Sequence, residues 1–175
     1  MYKIFLSITL TVFCKYTESK IIPDVQGVRP CPEYKHDFDF SNLDYDYDDD
    51  GYLTVNGNFT FLRDIASPYP AYFHSEQMER GEWRRALIER SVPDFCAVLQ
   101  SPTEIWYPIT RYLNKKACPY KAGFVGTIDH VRYKFPFTIS PQFLGEWRLF
   151  MEQRDSRKDP KPFACLILYF SVIEI

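Results

Sequence analysis

Asp46, Asp48, Asp50 and Gly51 stand at the spacing D-x-D-x-D-G that opens an EF-hand loop, so calcium is the first chemistry to weigh. That loop needs a bidentate Glu at its twelfth position, and here the twelfth residue is Gly57. No amphipathic helix precedes it and an alternating, strand-like stretch follows, so calcium is not expected by this route. His36, His74 and His130 are scattered, and neither a C-x-x-C nor an H-x-x-x-H pair is present, so no zinc site is expected. Asp129 and His130 are neighbours, but adjacent residues on a strand point to opposite faces. No G-x-S-x-G or H-E-x-x-H motif occurs. The expectation is a binding protein with no catalytic residues, no metal and no cofactor.

Tyr45 and Tyr47 sit among those aspartates and would be candidates for sulfation in the secretory pathway. The plainer reading is a solvated acidic segment that like charges keep extended. Asn58-Phe59-Thr60 is an N-glycosylation sequon, useful only in a chain that is exported.

Export is expected from residues 1–19, which read as a signal peptide. Lys3 gives the positive start, residues 4–13 the apolar run, and Thr17 and Ser19 the small residues near the cleavage site. That run is too short for a bilayer, which needs roughly 20 residues. Losing Lys3, Lys15 and Glu18 would move the net charge from −2 to −3. Seven acids fall between positions 37 and 50, leaving 19 basic against 15 acidic residues elsewhere in the processed chain. That mild excess forms no basic stripe, so nucleic acid is not an expected partner. Cys31, Cys96, Cys118 and Cys165 remain once the leader takes Cys14. An even count in a secreted chain implies two disulfides, with three connectivities open.

The elements that must hold these residues are short. Residues 20–51 are rich in Pro, Asp and Tyr and read as an acidic extended N-terminal arm. The domain proper is then residues 52–175. Leu53, Val55, Gly57, Phe59 and Phe61 alternate with Thr54, Asn56, Asn58 and Thr60, the period of a half-buried strand. Further strands are expected at 71–75, 124–131 and 145–153, and 83–92 fits strand or helix. Residues 96–114 loosen towards a short helical or irregular segment. The terminal run is apolar on both faces, as a central strand is. A lipid-anchor signal also ends in an apolar tail, but Cys165, Glu174 and a short spacer fit it poorly. Short strands, turn residues and disulfides together predict an all-β fold, a β-sandwich.

From Asp94 onward the chain resembles a known family. Asp94-Phe95-Cys96, then Cys118-Pro119-Tyr120 with Gly123, then Gly145-Glu146-Trp147-Arg148-Leu149 carry the resemblance. Their order is similar to that of the insect secreted proteins related to the CheB chemosensory group. Those in turn resemble the ML (lipid-recognition) superfamily. The resemblance implies an immunoglobulin-like β-sandwich with an apolar cavity between its two sheets. It implies a secreted, non-enzymatic carrier of a hydrophobic small molecule (a fatty acyl chain, hydrocarbon or sterol) in chemosensation or lipid and pheromone transport, with a membrane receptor as a further partner. It also implies the pairs Cys31–Cys165 and Cys96–Cys118. Aromatics are numerous enough to line a cavity, and the expected lining is Phe59, Phe61, Trp106, Tyr112, Phe124, Phe135, Phe137, Trp147, Leu149 and Tyr169, with a mouth near residues 135–141. The alternative is a secreted protein-binding sandwich in which the same aromatics simply fill the core.

Overall fold

The computed structural model describes residues 20–48, 50–134, 138–154 and 161–175. The chain is an all-β sandwich. Its strands are β1 (Ile21–Pro30), β2 (Phe38–Tyr47), β3 (Leu53–Phe61), β4 (Ala71–Glu79), β5 (Glu82–Val92), β6 (Val125–Tyr133), β7 (Gly145–Gln153) and β8 (Ala164–Glu174). One sheet has the order β1-β8-β7-β4-β5 and the other β2-β3-β6, and every strand pair is antiparallel. Two one-turn helices, α1 (Phe95–Val98) and α2 (Tyr107–Thr110), occupy the segment expected to be helical or irregular. Among the described residues no helix is long and apolar enough to cross a membrane.

Residues 20–51 are not an arm outside the sandwich. They supply β1 and β2, one strand for each sheet. The acids of β2 alternate with its apolar residues on each side of a bulge between Asp39 and Asn42. Phe38, Phe40, Leu43, Tyr45 and Tyr47 pack in or against the core, while Asp39, Asp44 and Asp46 alternate with them. Tyr45 and Tyr47 are partly buried against the core, and burial pushes the Tyr45 phenol up to about 12 and raises that of Tyr47 too. β1 carries Pro23 and Pro30, which an edge strand tolerates because one row of its N–H groups needs no partner.

The calcium-like motif is the β2–β3 hairpin. Asp48 Oδ1 accepts from the amides of Asp50 and Tyr52, each at 3.0 Å. Its Oδ2 accepts from Arg132 Nε at 2.9 Å, and the guanidinium lies 3.8 Å over the Tyr52 ring. Gly51 takes the positive φ (+78°) that closes the turn. The Asp48 carboxylate is thus held by a turn and an arginine.

The ambiguous stretch 83–92 is a strand because of the two residues before it. Arg80 (φ 53°) and Gly81 (φ 83°) form a two-residue turn that pairs Glu79 with Glu82 and Met78 with Trp83. The expected strand at 71–75 runs on to Glu79 for the same reason.

Asp94 anchors the helical segment. It is the N-cap of α1, accepting from the Cys96 amide at 3.1 Å. It also takes the Ser67 hydroxyl and the Tyr69 amide, the latter at 3.0 Å. These contacts, the Ser67 hydroxyl foremost, hold its carboxyl below the usual 3.8. A depressed folded value means that the carboxylate stabilises the fold above 3.8, and that this is lost as pH falls through the folded value. Asp94→Asn is therefore expected to melt below wild type at neutral pH, with the gap closing below about pH 4. A gap that does not change with pH in thermal melts would contradict this.

Both disulfides follow the pairing that the resemblance implied. Cys31 and Cys165 have Cα atoms 5.4 Å apart and join the end of β1 to β8 across 134 residues. Cys96 and Cys118 are 5.7 Å apart and tie α1 to the approach of β6. Each closes a loop of the unfolded chain and contributes roughly 2–4 kcal/mol.

Candidate functional site

The space between the sheets has two different ends. One end is filled by aromatic rings. Phe61 stacks on Tyr120 at 4.3 Å and meets Phe38 at 5.1 Å and Phe124 at 5.6 Å. Phe59 lies 5.5 Å from Phe61 and against the backbone of Gly126, where an added Cβ would meet its ring at 2.7 Å. Phe59, Phe61 and Phe124, expected to line a cavity, are therefore packing residues.

The other end is built on the five-stranded sheet. Its inward face reads off the register as three rows. Phe73, Met151 and Leu166 form the first, Ser75, Leu149, Leu168 and Val28 the second, and Gln77, Trp147, Phe170 and Val25 the third. The buried cluster reaches this face through Leu166 and Met151, with Val25 and Val28 packed against it. Phe73, Leu149, Leu168 and Phe170 are only half-buried, although they are apolar and turned inward. Trp147 is buried (3% exposed) under the turn before β7, donating its indole N–H to the Phe143 carbonyl at 2.7 Å. It stacks on Phe170 at 6.2 Å.

Sheet widths explain the half-burial. Neighbouring strands lie about 4.8 Å apart, so five strands span about 19 Å and three span about 10 Å. The β2-β3-β6 sheet is too narrow to cover its partner. Part of the deficit is met by the segment after β5. Trp106 stacks on Phe73 at 5.6 Å and lies tilted against Phe95 at 4.9 Å. Arg90, paired with Phe73 in the register, bonds the buried Glu104 at 2.5 Å. Leu149, Leu168 and Phe170 remain partly uncovered.

No protein-family model matches the chain, and no curated protein matches it.

The other expected lining residues divide. Trp147 and Leu149 are on the inward face and Trp106 covers its β4 side. Tyr112 is 53% exposed and lies under the Arg111 guanidinium. Tyr169 is on the opposite face of the sheet, packed with Ile167 and the Cys31–Cys165 bridge and covered by Arg29. Its place follows from alternation along β8, where Leu166, Leu168 and Phe170 take the inward side and Cys165, Ile167 and Tyr169 the outward side. Phe135 and Phe137 lie outside the described residues, as does most of the expected mouth; Thr138 is exposed and residues 141–143 form a 3-10 turn. Phe73, Leu168 and Phe170 were missed. The sequence did carry a signal for the last two, since period two from Leu166 places both beside Trp147 and Leu149.

Proposed function

We propose that the inward face around Leu149, Leu168 and Phe170 binds the apolar chain of a small hydrophobic molecule, and that the protein is a secreted, non-enzymatic carrier. The observation that supports this most is the mismatch of a five-stranded sheet over a three-stranded one, which leaves apolar inward side chains half-buried. A fatty acyl chain, hydrocarbon or sterol fits an apolar face of this kind. Burying one methylene contributes about 0.8 kcal/mol, so a dozen carbons gain roughly 10 kcal/mol before ordering costs. That supports micromolar binding or better. The signal-like leader, the two cystines and the resemblance to CheB-related and ML proteins support export and a role in chemosensation or lipid transport, with a membrane receptor as partner. Asn58 is on the outer side of β3, paired with Asn42 and Thr127, where a glycan would project away from the core.

Two measurements test the carrier reading. Lipids extracted from the native secreted protein should appear in its mass spectrum, and the stripped protein should take up a fluorescent fatty acid. Leu149→Gln keeps the volume but makes the face polar, and should weaken uptake about tenfold or more. Phe124→Leu, in the filled end, should leave uptake unchanged. No extracted lipid together with no uptake would sink the proposal. The protein-binding reading would then gain, and it has its own observation: Leu87 and Ile88 stand 88% and 46% exposed on the edge strand β5.

A further inference from the structure

At one end of the sandwich the inward rows of both sheets carry polar tips. On the five-stranded sheet that row is Gln77, Trp147, Phe170 and Val25. On the three-stranded sheet it is Tyr47, Leu53 and Tyr133, and Leu53, 4% exposed, fixes the inward side. β1 packs against β2. The Tyr47 phenol thereby stands at Val25, the residue that pairs with Phe170.

Two donors of this end are in use. Trp147 gives its indole N–H to the Phe143 carbonyl at 2.7 Å, and Gln77 Nε2 donates to the Leu144 carbonyl at 3.3 Å. The Tyr47 hydroxyl oxygen is shut off from solvent and has no hydrogen-bond partner among the described residues. The backbone amide beside it, that of Val25, can only donate, so the phenolic O–H lacks an acceptor. The Asp24 carboxylate acts on it by charge without bonding it. Burial, and then that charge, raise the phenol well above its ordinary value, so the group is a donor at neutral pH. A buried donor without an acceptor costs free energy, which a ligand supplying the acceptor recovers.

We propose that the hydrophobic molecule held here carries an uncharged carbonyl, as a long-chain ester, ketone or aldehyde does, and that the Tyr47 hydroxyl donates to it. The inference rests on the carrier reading, with the chain itself lying on Phe170, Leu168 and Leu149. A carbonyl oxygen accepts and has no hydrogen of its own to place, which suits an end that offers donors. A plain hydrocarbon leaves the hydroxyl unmet. A carboxylate would give up its hydration and approach the Asp24 charge.

Methyl palmitate, hexadecane and palmitate have similar chains and separate these cases. The stripped native protein is expected to bind radiolabelled methyl palmitate about tenfold more tightly than hexadecane, or than palmitate at neutral pH, the effect of one hydrogen bond in a dry site. Tyr47→Phe should bring the ester down to the level of hexadecane and leave hexadecane where it was. Tyr45→Phe, two residues away on the same face of β2, should change neither. The infrared stretch of an isotope-labelled ester carbonyl should lie lower in the wild-type complex than in the Tyr47→Phe complex. Without ligand, Tyr47→Phe should melt no lower than wild type, because it removes a donor that has no partner. Equal affinity for ester and hexadecane, an ester affinity or carbonyl stretch indifferent to Tyr47→Phe, or a lower melting temperature of the ligand-free variant would each overturn the proposal and leave the carrier reading in place. Uptake of none of the three probes would overturn both.

Discussion

Gly57→Ala should destabilise the fold by about 4 kcal/mol, the largest effect expected of any single methyl group in this chain. Gly57 lies on β3, the central strand of its sheet, between Leu43 of β2 and Ile128 of β6. Its φ is +119°, a region that costs a non-glycine residue about 1–3 kcal/mol. A Cβ there would also stand 2.0 Å from the Asn42 carbonyl oxygen and 3.1 Å from its carbon. Those atoms are backbone in a paired strand and cannot rotate away, so β2 must shift and its ladder weaken. Gly27→Ala separates the two causes. Gly27 has nearly the same φ, +121°, but open space around its Cβ position. The Gly27 variant should therefore lose only the conformational part. Denaturant melts of the two variants give the comparison, and a Gly57→Ala loss no greater than that of Gly27→Ala would show that the contact is relieved cheaply.

Asp37→Ala should cost about 3 kcal/mol, or roughly 10 °C in melting temperature for a chain of this size. Asp37 is 1% exposed just before β2, and it receives the buried Tyr69 hydroxyl. Arg63 Nε lies 2.9 Å from its Oδ1. Arg63 is half-exposed and can turn to water, so removing the carboxylate strands Tyr69 more than it strands the arginine. Burial and the Asp37 carboxylate push the Tyr69 phenol far above its ordinary value, so the ring is a donor at neutral pH. Tyr69→Phe should cost less, because it removes the orphan together with the bond. The double variant should be clearly more stable than the sum of the singles predicts. Strict additivity in the melts would mean that the two side chains are not coupled.

Much of the sandwich is legible without coordinates because a strand writes its two faces into the chain at period two. β3 and β7 match their expected positions to within a residue, for Leu53 to Phe61 and Trp147 to Met151 alternate without interruption. β2 obeys the same rule only on each side of its bulge between Asp39 and Asn42, and its outward side is largely aspartate and its inward side partly tyrosine. Composition there suggests a solvated arm, and only the facing sheet shows which side of each residue is dry. β1 is harder still. Its two prolines argue against a strand, and it exists because β8 offers an edge from Ile21 to Pro30. The disulfide pairing lay beyond residue spacing too, since four cysteines leave three connectivities open and only a fold, or a likeness to one, chooses among them.

The candidate sites divide in the same way. The sequence by itself determined which residue types were on hand: many aromatics, alternating strands, four cysteines beyond the leader-like stretch and no catalytic motif. It could not say which aromatics fill space and which border it. Phe61 and Trp147 look alike in a strand pattern, yet one is locked against Tyr120 and the other lies beside half-buried Leu149 and Phe170. That difference is set by how many strands each sheet recruits, a long-range outcome. The place of the Tyr47 hydroxyl has the same origin. Tyr47 of β2 and Phe170 of β8 lie far apart in the chain, and only the packing of β1 against β2 and its pairing with β8 bring them to one end of the sandwich. Alternation is a local property of the chain and survives in the sequence, whereas strand order and sheet width arise from contacts between distant segments and exist only in the folded molecule.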